Sequence, residues 1–323
     1  MLNSRVLFAV TLIPMLWFDA SASMGTQHKT KPPVSSDAAA PQLSSISQRA
    51  EQGDPQAEYK LGSLYMTGTS VPLDYQQAVM WYGKAAEQNY PEAEFALGYM
   101  YEQGEGVNRD YRQARHYYTA AAQQGHTTAE NNLGSLYEHG QGVRKDFRQA
   151  ADWYRKAADR GEVVAQCNLA SLYFRGKGIR RDYVQAATWF RAAAERGYPP
   201  AQENLASMYY TGTGVKQDFT EAANWVRKAA VLGYARAQVD LGYLYEQGKG
   251  VPLDHVAAYM WYMIAAAGGE RRAVAQLKSL SSVMTEAQIR QATIAAAELN
   301  IHTPNPSSAS GSASVGTSWL PPR

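Results

Sequence analysis

The apolar positions of the chain first recur with the period of a helix. Ala57, Leu61, Leu64 and Tyr65 lie at positions i, i+4, i+7 and i+8, which places them on one face of a helix. The Asp54-Pro55 pair before this run supplies an N-cap and a first-turn proline. Gly68 after it allows the left-handed conformation that ends helices. The pattern therefore predicts a short amphipathic helix between these signals.

A second helix is predicted directly afterwards. Asp74 is a good N-cap, and Gln77 three residues later completes the pattern of a capping box. The apolar residues that follow again share one helical face: Ala78, Trp81, Tyr82, Ala85 and Ala86. We expect the small alanines to let neighbouring helices approach closely while the aromatic rings fill the remaining space.

This helix pair recurs every 36 residues without insertion. Repeats one to six begin at Ala57, Ala93, Ala129, Ala165, Ala201 and Ala237. Columns of Leu, Tyr, Gly and Asp keep the same phase, the last running Asp74, Asp110, Asp146, Asp182, Asp218 and Asp254. A Gly-x-Gly-Val loop joins the two helices in most repeats. Such regularity is typical of a solenoid whose units stack on their neighbours.

The repeat unit resembles the Sel-one-like repeat, a branch of the tetratricopeptide superfamily. The shared pattern is Ala-x-x-x-Leu-Gly-x-x-Tyr-x-x-Gly-x-Gly-Val-x-x-Asp-x-x-x-Ala-x-x-Trp-Tyr-x-x-Ala-Ala-x-x-Gly, and it covers residues 46–300. The resemblance implies an all-α, right-handed α/α superhelical solenoid of six helix-turn-helix repeats with terminal capping helices. It also implies a concave groove lined by the first helices and a role in holding proteins together, often at the bacterial envelope.

Composition changes from the ends to the middle of the chain. Val6–Phe18 is an apolar run followed by Ala20-Ser21-Ala22, so residues 1–22 read as a cleavable signal peptide with cleavage near Ala22/Ser23. We expect a flexible linker over 23–45, an N-terminal half-repeat cap over 46–56, repeats over 57–272, capping helices over 273–302 and a disordered tail over 303–323. Thr285 and Gln288 predict a capping box for a last helix at about 286–299, with Ile289, Ala292, Ala296 and Leu299 on one face.

Catalytic and cofactor motifs are missing from the sequence. It contains no H-E-x-x-H, G-x-S-x-G, S-x-x-K, C-x-x-C or phosphate-binding P-loop pattern. The six aspartates are explained as helix caps and the tryptophan column as core. We therefore expect no enzyme activity, no metal site and no cofactor. The single cysteine, Cys167, is expected to pack as a small apolar residue, with an intermolecular disulfide as the alternative.

Charge is too balanced to indicate nucleic-acid binding. The chain carries 31 basic and 29 acidic residues, for a formal net charge of +2. No apolar run of the mature chain reaches the length of a membrane span. With the signal peptide, these features predict a periplasmic or secreted protein.

Three variable positions of each first helix are the candidate groove contacts. The first groove position holds Tyr59, Phe95, Asn131, Cys167, Glu203 and Val239. The second holds Ser63, Tyr99, Ser135, Ser171, Ser207 and Tyr243, and the third holds Met66, Glu102, Glu138, Phe174, Tyr210 and Glu246. Variation here suits either a partner peptide or helix or an ordinary solvent face; the aromatic residues favour the partner.

The loops before the capping aspartates form a second candidate surface. They carry basic residues in the middle repeats: Arg109, Arg144, Lys145, Arg180, Arg181 and Lys216. Stacked, these would form a basic stripe along one edge, either as solvated loops or as a contact for an anionic envelope polymer or an acidic protein. The sequence thus predicts a non-enzymatic scaffold or adaptor of the bacterial envelope that binds a protein or peptide, with a binder or regulator of peptidoglycan or cell-wall enzymes as the alternative. It leaves the oligomeric state open.

Overall fold

A computed structural model describes the backbone of residues 36–299 and the side chains of residues 42–299. In this part of the chain, all regular secondary structure is helical, and short loops join the helices. The helices are α1 (Ser36–Glu51), α2 (Pro55–Thr67), α3 (Tyr75–Glu87), α4 (Pro91–Gln103), α5 (Tyr111–Gln123), α6 (Thr127–His139), α7 (Phe147–Asp159), α8 (Val163–Arg175), α9 (Tyr183–Glu195), α10 (Pro199–Thr211), α11 (Phe219–Val231), α12 (Ala235–Gln247), α13 (His255–Ala267), α14 (Arg271–Ser281) and α15 (Glu286–Glu298). The predicted all-α solenoid is confirmed. None of these described helices is both long and apolar enough to cross a bilayer.

The aspartate column caps the second helices as expected, but the hydrogen bonds differ from those of the predicted capping box. The Asp74 carboxylate accepts hydrogen bonds from the backbone N–H groups of Gln76 and Gln77, each at 3.0 Å. The return bond of a capping box does not form, because the Asp74 N–H donates instead to the Tyr65 carbonyl of the first helix at 3.0 Å. All six repeats share that backbone bond. It ties the start of each second helix to the first helix of its own repeat.

The loop glycines are required for two separate reasons. Gly104 ends α4 with a φ of 79°, a left-handed value that side chains disfavour. Gly106 has a φ of 70° and lies directly against the backbone of Tyr75 in the preceding repeat, where a Cβ atom would clash with the Tyr75 carbonyl. The second glycine therefore brings the loops of neighbouring repeats into contact. Repeat one, which has no repeat before it, carries Ser70 at this place.

The chain divides into two compact units. In the N-terminal unit, which contains α1–α7, consecutive helices pack against each other, and the alanine column is fully buried. In the C-terminal unit, which contains α8–α15, the same packing continues through α13 to both capping helices. Four second helices bury a tyrosine ring against a glycine of their first helix, so that a Cβ there would lie 2.5–2.7 Å from the ring: Tyr82, Tyr118, Tyr154 and Tyr262.

The ends differ from the sequence prediction at the first helix. Residues 36–45, expected to be linker, belong to α1, because Leu43 and Ile46 continue the apolar face of Ala50 and pack against the first repeat. At the other end, the predicted capping box of Thr285 and Gln288 is present. Leu299, the C-cap residue of α15, is 42% exposed, whereas Ala292 on the same helix is buried.

The predicted signal peptide (1–22), residues 23–35 of the predicted linker and the predicted tail (303–323) lie outside the described residues. The right-handed sense of the superhelix stays a prediction.

Candidate partner-binding surface

Acidic residues at the third groove position serve the fold. The Tyr118 hydroxyl of α5 donates to the Glu102 carboxylate of α4 at 2.6 Å, and both side chains are buried. Repeats three and six repeat the bond, from Tyr154 to Glu138 at 3.0 Å and from Tyr262 to Glu246 at 2.7 Å. Burial raises the pKa of Glu102. Glu102 and Glu138 are each 5% exposed and accept an internal hydrogen bond, so they serve the fold, and a contact with a partner stays a prediction.

The residue at the third groove position changes together with its partner in the second helix. Repeat one pairs Tyr82 with Ser63 and the Met66 sulfur as hydrogen-bond acceptors, at 3.1 and 3.5 Å. Repeats four and five have no hydroxyl at the Tyr82 position, where they carry Phe190 and Val226. These repeats place Phe174 and Tyr210 at the third groove position, so a carboxylate or sulfur acceptor is present only where the second helix carries a hydroxyl that needs one. Phe174 and Tyr210 remain half-buried rather than enclosed.

The first groove position is a packing position. The Tyr59 ring centroid lies 5.5 Å from those of Tyr82 and Tyr90, and the Phe95 ring stacks on the His126 imidazole at 4.5 Å. Asn131 is 5% exposed and presents little surface, so its role as a contact residue stays a prediction. The first groove position therefore joins neighbouring helices instead of lining an open surface.

Glu203, also at the first groove position, forms an ion pair. Its carboxylate lies 3.1 Å from the Arg236 guanidinium, and the residue is 8% exposed. Burial raises the pKa of Glu203, and the neighbouring arginines oppose the rise. The pair links α10 to α12 inside the C-terminal unit, so this carboxylate is engaged within the fold, and its contact with a partner stays a prediction.

The second groove position keeps two large side chains at the surface. Tyr99 and Tyr243 are half-buried, whereas the other four repeats have serine there. The Ser63 and Ser171 hydroxyls donate to the backbone carbonyls of Tyr59 and Cys167, each at 3.0 Å. A serine satisfied by its own helix shows that the fold does not need a ring at this position.

A buried polar column matches no motif in the sequence. The residue after the first alanine of every repeat is Glu or Gln and is buried: Glu58, Glu94, Glu130, Gln166, Gln202 and Gln238. The sequence indicates the burial of this column only by keeping Glu or Gln in all six repeats, which a solvent-facing position would not require.

The acids and the amides of this column bond differently. Gln88 and Gln124 side-chain amides donate to Glu58 and Glu94 at 2.8 Å, and Arg160 donates to Glu130 at the same distance. In the C-terminal unit, the amides of Gln202 and Gln238 donate to the backbone carbonyls of Ala194 and Ala230 at 3.1 Å. These bonds connect the ends of α3, α5, α7, α9 and α11 to first helices.

The predicted basic residues of the loops are exposed. In the N-terminal unit, the Arg109 guanidinium lies 5.7 Å from the Tyr111 ring centroid and the Lys145 ammonium 4.8 Å from that of Phe147. In the C-terminal unit, Arg181 lies 5.4 Å from the Tyr183 ring. Arg144, Arg180 and Lys216 are exposed as well. Each cation near a ring rests on the first residue of the following helix, which limits its freedom without removing it from solvent.

Metal-ligating side chains do not cluster in the described residues. These residues contain no group of three or more His, Cys, Asp or Glu side chains arranged to hold a metal ion. Cys167 is 3% exposed and packs in the apolar core of the C-terminal unit, as predicted for a small apolar residue. At that exposure it is not placed to form the alternative intermolecular disulfide.

Comparison with known proteins gives the family. The Sel1 repeat model matches residues 55–90, 91–126, 127–162, 163–198, 199–234 and 235–270. A solved Sel1 repeat protein from Oxalobacter formigenes is 32% identical, covers 66% of this chain and 86% of its own, and has a TM-score of 0.61. None of the curated proteins matches.

Two further solved structures are similar at lower scores. The c5321 protein, a protective antigen present in uropathogenic Escherichia coli strains, is 26% identical over 82% of this chain and 80% of its own, with a TM-score of 0.44. Helicobacter pylori cysteine rich protein B is 27% identical over 42% of this chain and 96% of its own, with a TM-score of 0.33. Six consecutive matches place the repeat boundaries where the helix pairs lie, and the chain belongs to the Sel1 repeat family.

Proposed function

We propose that this protein is an exported, non-enzymatic scaffold of the bacterial cell envelope that binds a partner peptide or helix through the first helices of its repeats. Sel1 repeat proteins are generally protein–protein interaction scaffolds, typically without enzyme activity. Support for export comes from the signal-peptide pattern of residues 1–22.

The observation that carries the proposal is a tyrosine at the second groove position, which occurs once in each of the two compact units. Tyr99 and Tyr243 are half-buried at a position where the same fold elsewhere uses serine. Burial raises the pKa of Tyr99, so its phenol stays neutral at physiological pH. A neutral phenol offers apolar ring area and one hydrogen-bonding hydroxyl, a combination that is enriched at interaction surfaces.

The test is capture of partners from an envelope extract by the immobilised protein. Replacing both residues with serine (Tyr99→Ser and Tyr243→Ser) uses the side chain that four repeats already carry, so folding should be unaffected. We expect this variant to lose a partner that the unchanged protein retains. Met80→Ser, on the exposed side of the second helix α3, is the matched control and should retain the partner. Equal capture by the tyrosine variant and the unchanged protein refutes the proposed surface.

Three further measurements test export, the cell-wall alternative and the non-enzymatic assignment. Cell fractionation with N-terminal sequencing tests export, and a protein that stays in the cytoplasm with an intact N-terminus contradicts it. Binding to purified murein in the absence of any protein partner would favour the cell-wall alternative. Hydrolysis of a chromogenic β-lactam by the pure protein would contradict the non-enzymatic assignment.

A further inference from the structure

The loops of the C-terminal unit combine half-buried aromatic rings with cations. Phe174 and Tyr183 of repeat four contact edge to face, with ring centroids 5.1 Å apart. Tyr210 and Phe219 of repeat five do the same at 5.1 Å. Each pair joins the last turn of a first helix to the first residue of the second helix. We call these four rings together with Lys249 the aromatic loop edge.

Close packing of the loops holds these pairs side by side. Gly214 lies against the Tyr183 backbone, and Gly250 lies against the Phe219 backbone, so that a Cβ at either glycine would clash with a main-chain carbonyl. The loop of one repeat therefore rests on the aromatic residue of the repeat before it. The two ring pairs therefore lie in adjacent loops and form one row along an edge of the C-terminal unit.

Lys249 places a fixed positive charge on that row of rings. Its ammonium donates a hydrogen bond to the Tyr210 hydroxyl at 2.7 Å and lies 5.0 Å from the Tyr210 ring centroid and 5.7 Å from that of Phe219. The hydrogen bond with Tyr210 raises the pKa of Lys249, which keeps the amine protonated. Lys177 and Arg181 supply further cations in the loop of repeat four, which precedes that of Tyr210 and Phe219.

The acidic residues of the same loops do not cancel the positive charge of Lys249, Lys177 and Arg181. The carboxylates of Asp182, Asp218 and Asp254 accept backbone N–H groups at the starts of α9, α11 and α13. The Glu246 carboxylate, three residues before Lys249, accepts the Tyr262 hydroxyl. The corresponding loops of the N-terminal unit differ, because Glu105 and Gln141 stand where the C-terminal unit has Lys177 and Lys249. The third groove position there holds Met66, Glu102 and Glu138 instead of rings. Among the loops that the structure describes, aromatic pairs and excess positive charge thus coincide only in the C-terminal unit.

We infer that the aromatic loop edge binds an extended acidic peptide segment of a partner protein, with apolar side chains against the rings and carboxylates at Lys249, Lys177 and Arg181. Charge complementarity selects an acidic partner, and half-buried ring faces bind apolar or proline side chains. This inference rests on the proposed scaffold function but concerns a different surface from Tyr99 and Tyr243.

The first test is a display selection of random linear peptides against the purified protein. We expect the recovered peptides to be net acidic with apolar residues between the acids, and their affinity to fall as salt rises. Recovery of neutral or basic peptides, or of no peptide, overturns the inference. Binding to purified murein without recovery of acidic peptides overturns it as well.

Matched variants then locate the site by fluorescence anisotropy of a labelled recovered peptide. Combining Lys177→Gln, Arg181→Gln and Lys249→Gln removes the three cations with the glutamine that other repeats carry as Gln141 and Gln217. We expect about a tenfold loss of affinity. The control replaces Arg109, Arg144 and Lys145 of the N-terminal unit by glutamine and should change affinity less than about twofold. Equal losses in both variants, or none in the first, refute the location.

Failure of this site and failure of the scaffold function give different results. If Tyr99→Ser with Tyr243→Ser abolishes capture from extract while no acidic peptide is recovered, the scaffold stands and the aromatic loop edge is wrong as a binding site. If acidic peptides bind through Lys249 while the tyrosine variant captures partners normally, the inference holds and the surface proposed on the first helices is wrong.

Discussion

The hydroxyl of Tyr118 is the sharpest single test of how the repeats are held together. Tyr118 is 0% exposed and donates to Glu102, which is 5% exposed, across 2.6 Å. Tyr118→Phe removes only the oxygen and leaves a buried carboxylate without this donor. A buried hydrogen bond to a charged group contributes about 1.5–3 kcal/mol, so we expect the free energy of unfolding to fall by about 2–3 kcal/mol.

Glu102→Met provides the second side of a double-mutant cycle. Methionine is the residue of repeat one at this position, where Met66 accepts from the Tyr82 hydroxyl. Alone, it should cost about 1–2 kcal/mol, because a weak sulfur acceptor replaces the carboxylate. Combined with Tyr118→Phe, it leaves neither a donor nor an acceptor, as in repeat four. The double variant should then be within about 1 kcal/mol of the unchanged protein, giving a coupling of at least about 2 kcal/mol.

The assay combines urea unfolding with hydrogen exchange of the α4 and α5 amides. Exchange is needed because arrays of repeats can open locally without unfolding completely. The reasoning is refuted if Tyr118→Phe costs less than about 0.5 kcal/mol, or if the double variant costs the sum of the single ones.

Three other predictions concern the loops, the buried acids and the thiol. Gly214→Ala should destabilise by more than about 2 kcal/mol, because φ is 72° and the new Cβ would clash with the Tyr183 carbonyl, whereas Gly83→Ala in α3 has open space and should stabilise by about 0.5–1 kcal/mol; thermal melts of both variants check this. Burial raises the pKa of Glu102 above the ordinary value of 4.5, so the folded protein binds this proton more tightly than the unfolded chain does. Proton binding at Glu102 therefore adds to the free energy of unfolding at low pH, and this contribution is lost as pH rises through the raised pKa. Urea midpoints should therefore depend less on pH above 4.5 in Glu102→Gln than in the unchanged protein, and an unaltered slope would contradict the assignment. Cys167 should react with a thiol reagent only in denaturant, and rapid labelling of the native protein would disprove its burial.

The sequence alone determined the helix pairs, their number and their boundaries. Each of these follows from local signals: the aspartate that caps a helix, the glycine that ends one, and the apolar period between them. Six copies in one phase make a solenoid unambiguous from spacing alone, because a fixed period without insertions lets every unit stack on the next in the same way. The basic residues of the loops are exposed, as loop cations usually are, and their role as a binding stripe stays a prediction.

Only the tertiary structure decided which variable residues of the first helices serve the fold. Glu102 reads from the sequence like any solvent-facing acid, and its role depends on the Tyr118 hydroxyl, which lies beside it although the two residues are 16 positions apart. Glu203 likewise needs Arg236 of the next repeat to be understood as structural. Helical periodicity gives the direction of a side chain from its own axis, but burial depends on what the neighbouring helices place opposite it. For that reason spacing predicts the repeat, whereas the surface left for a partner is set by the hydrogen bonds and ring contacts between helices.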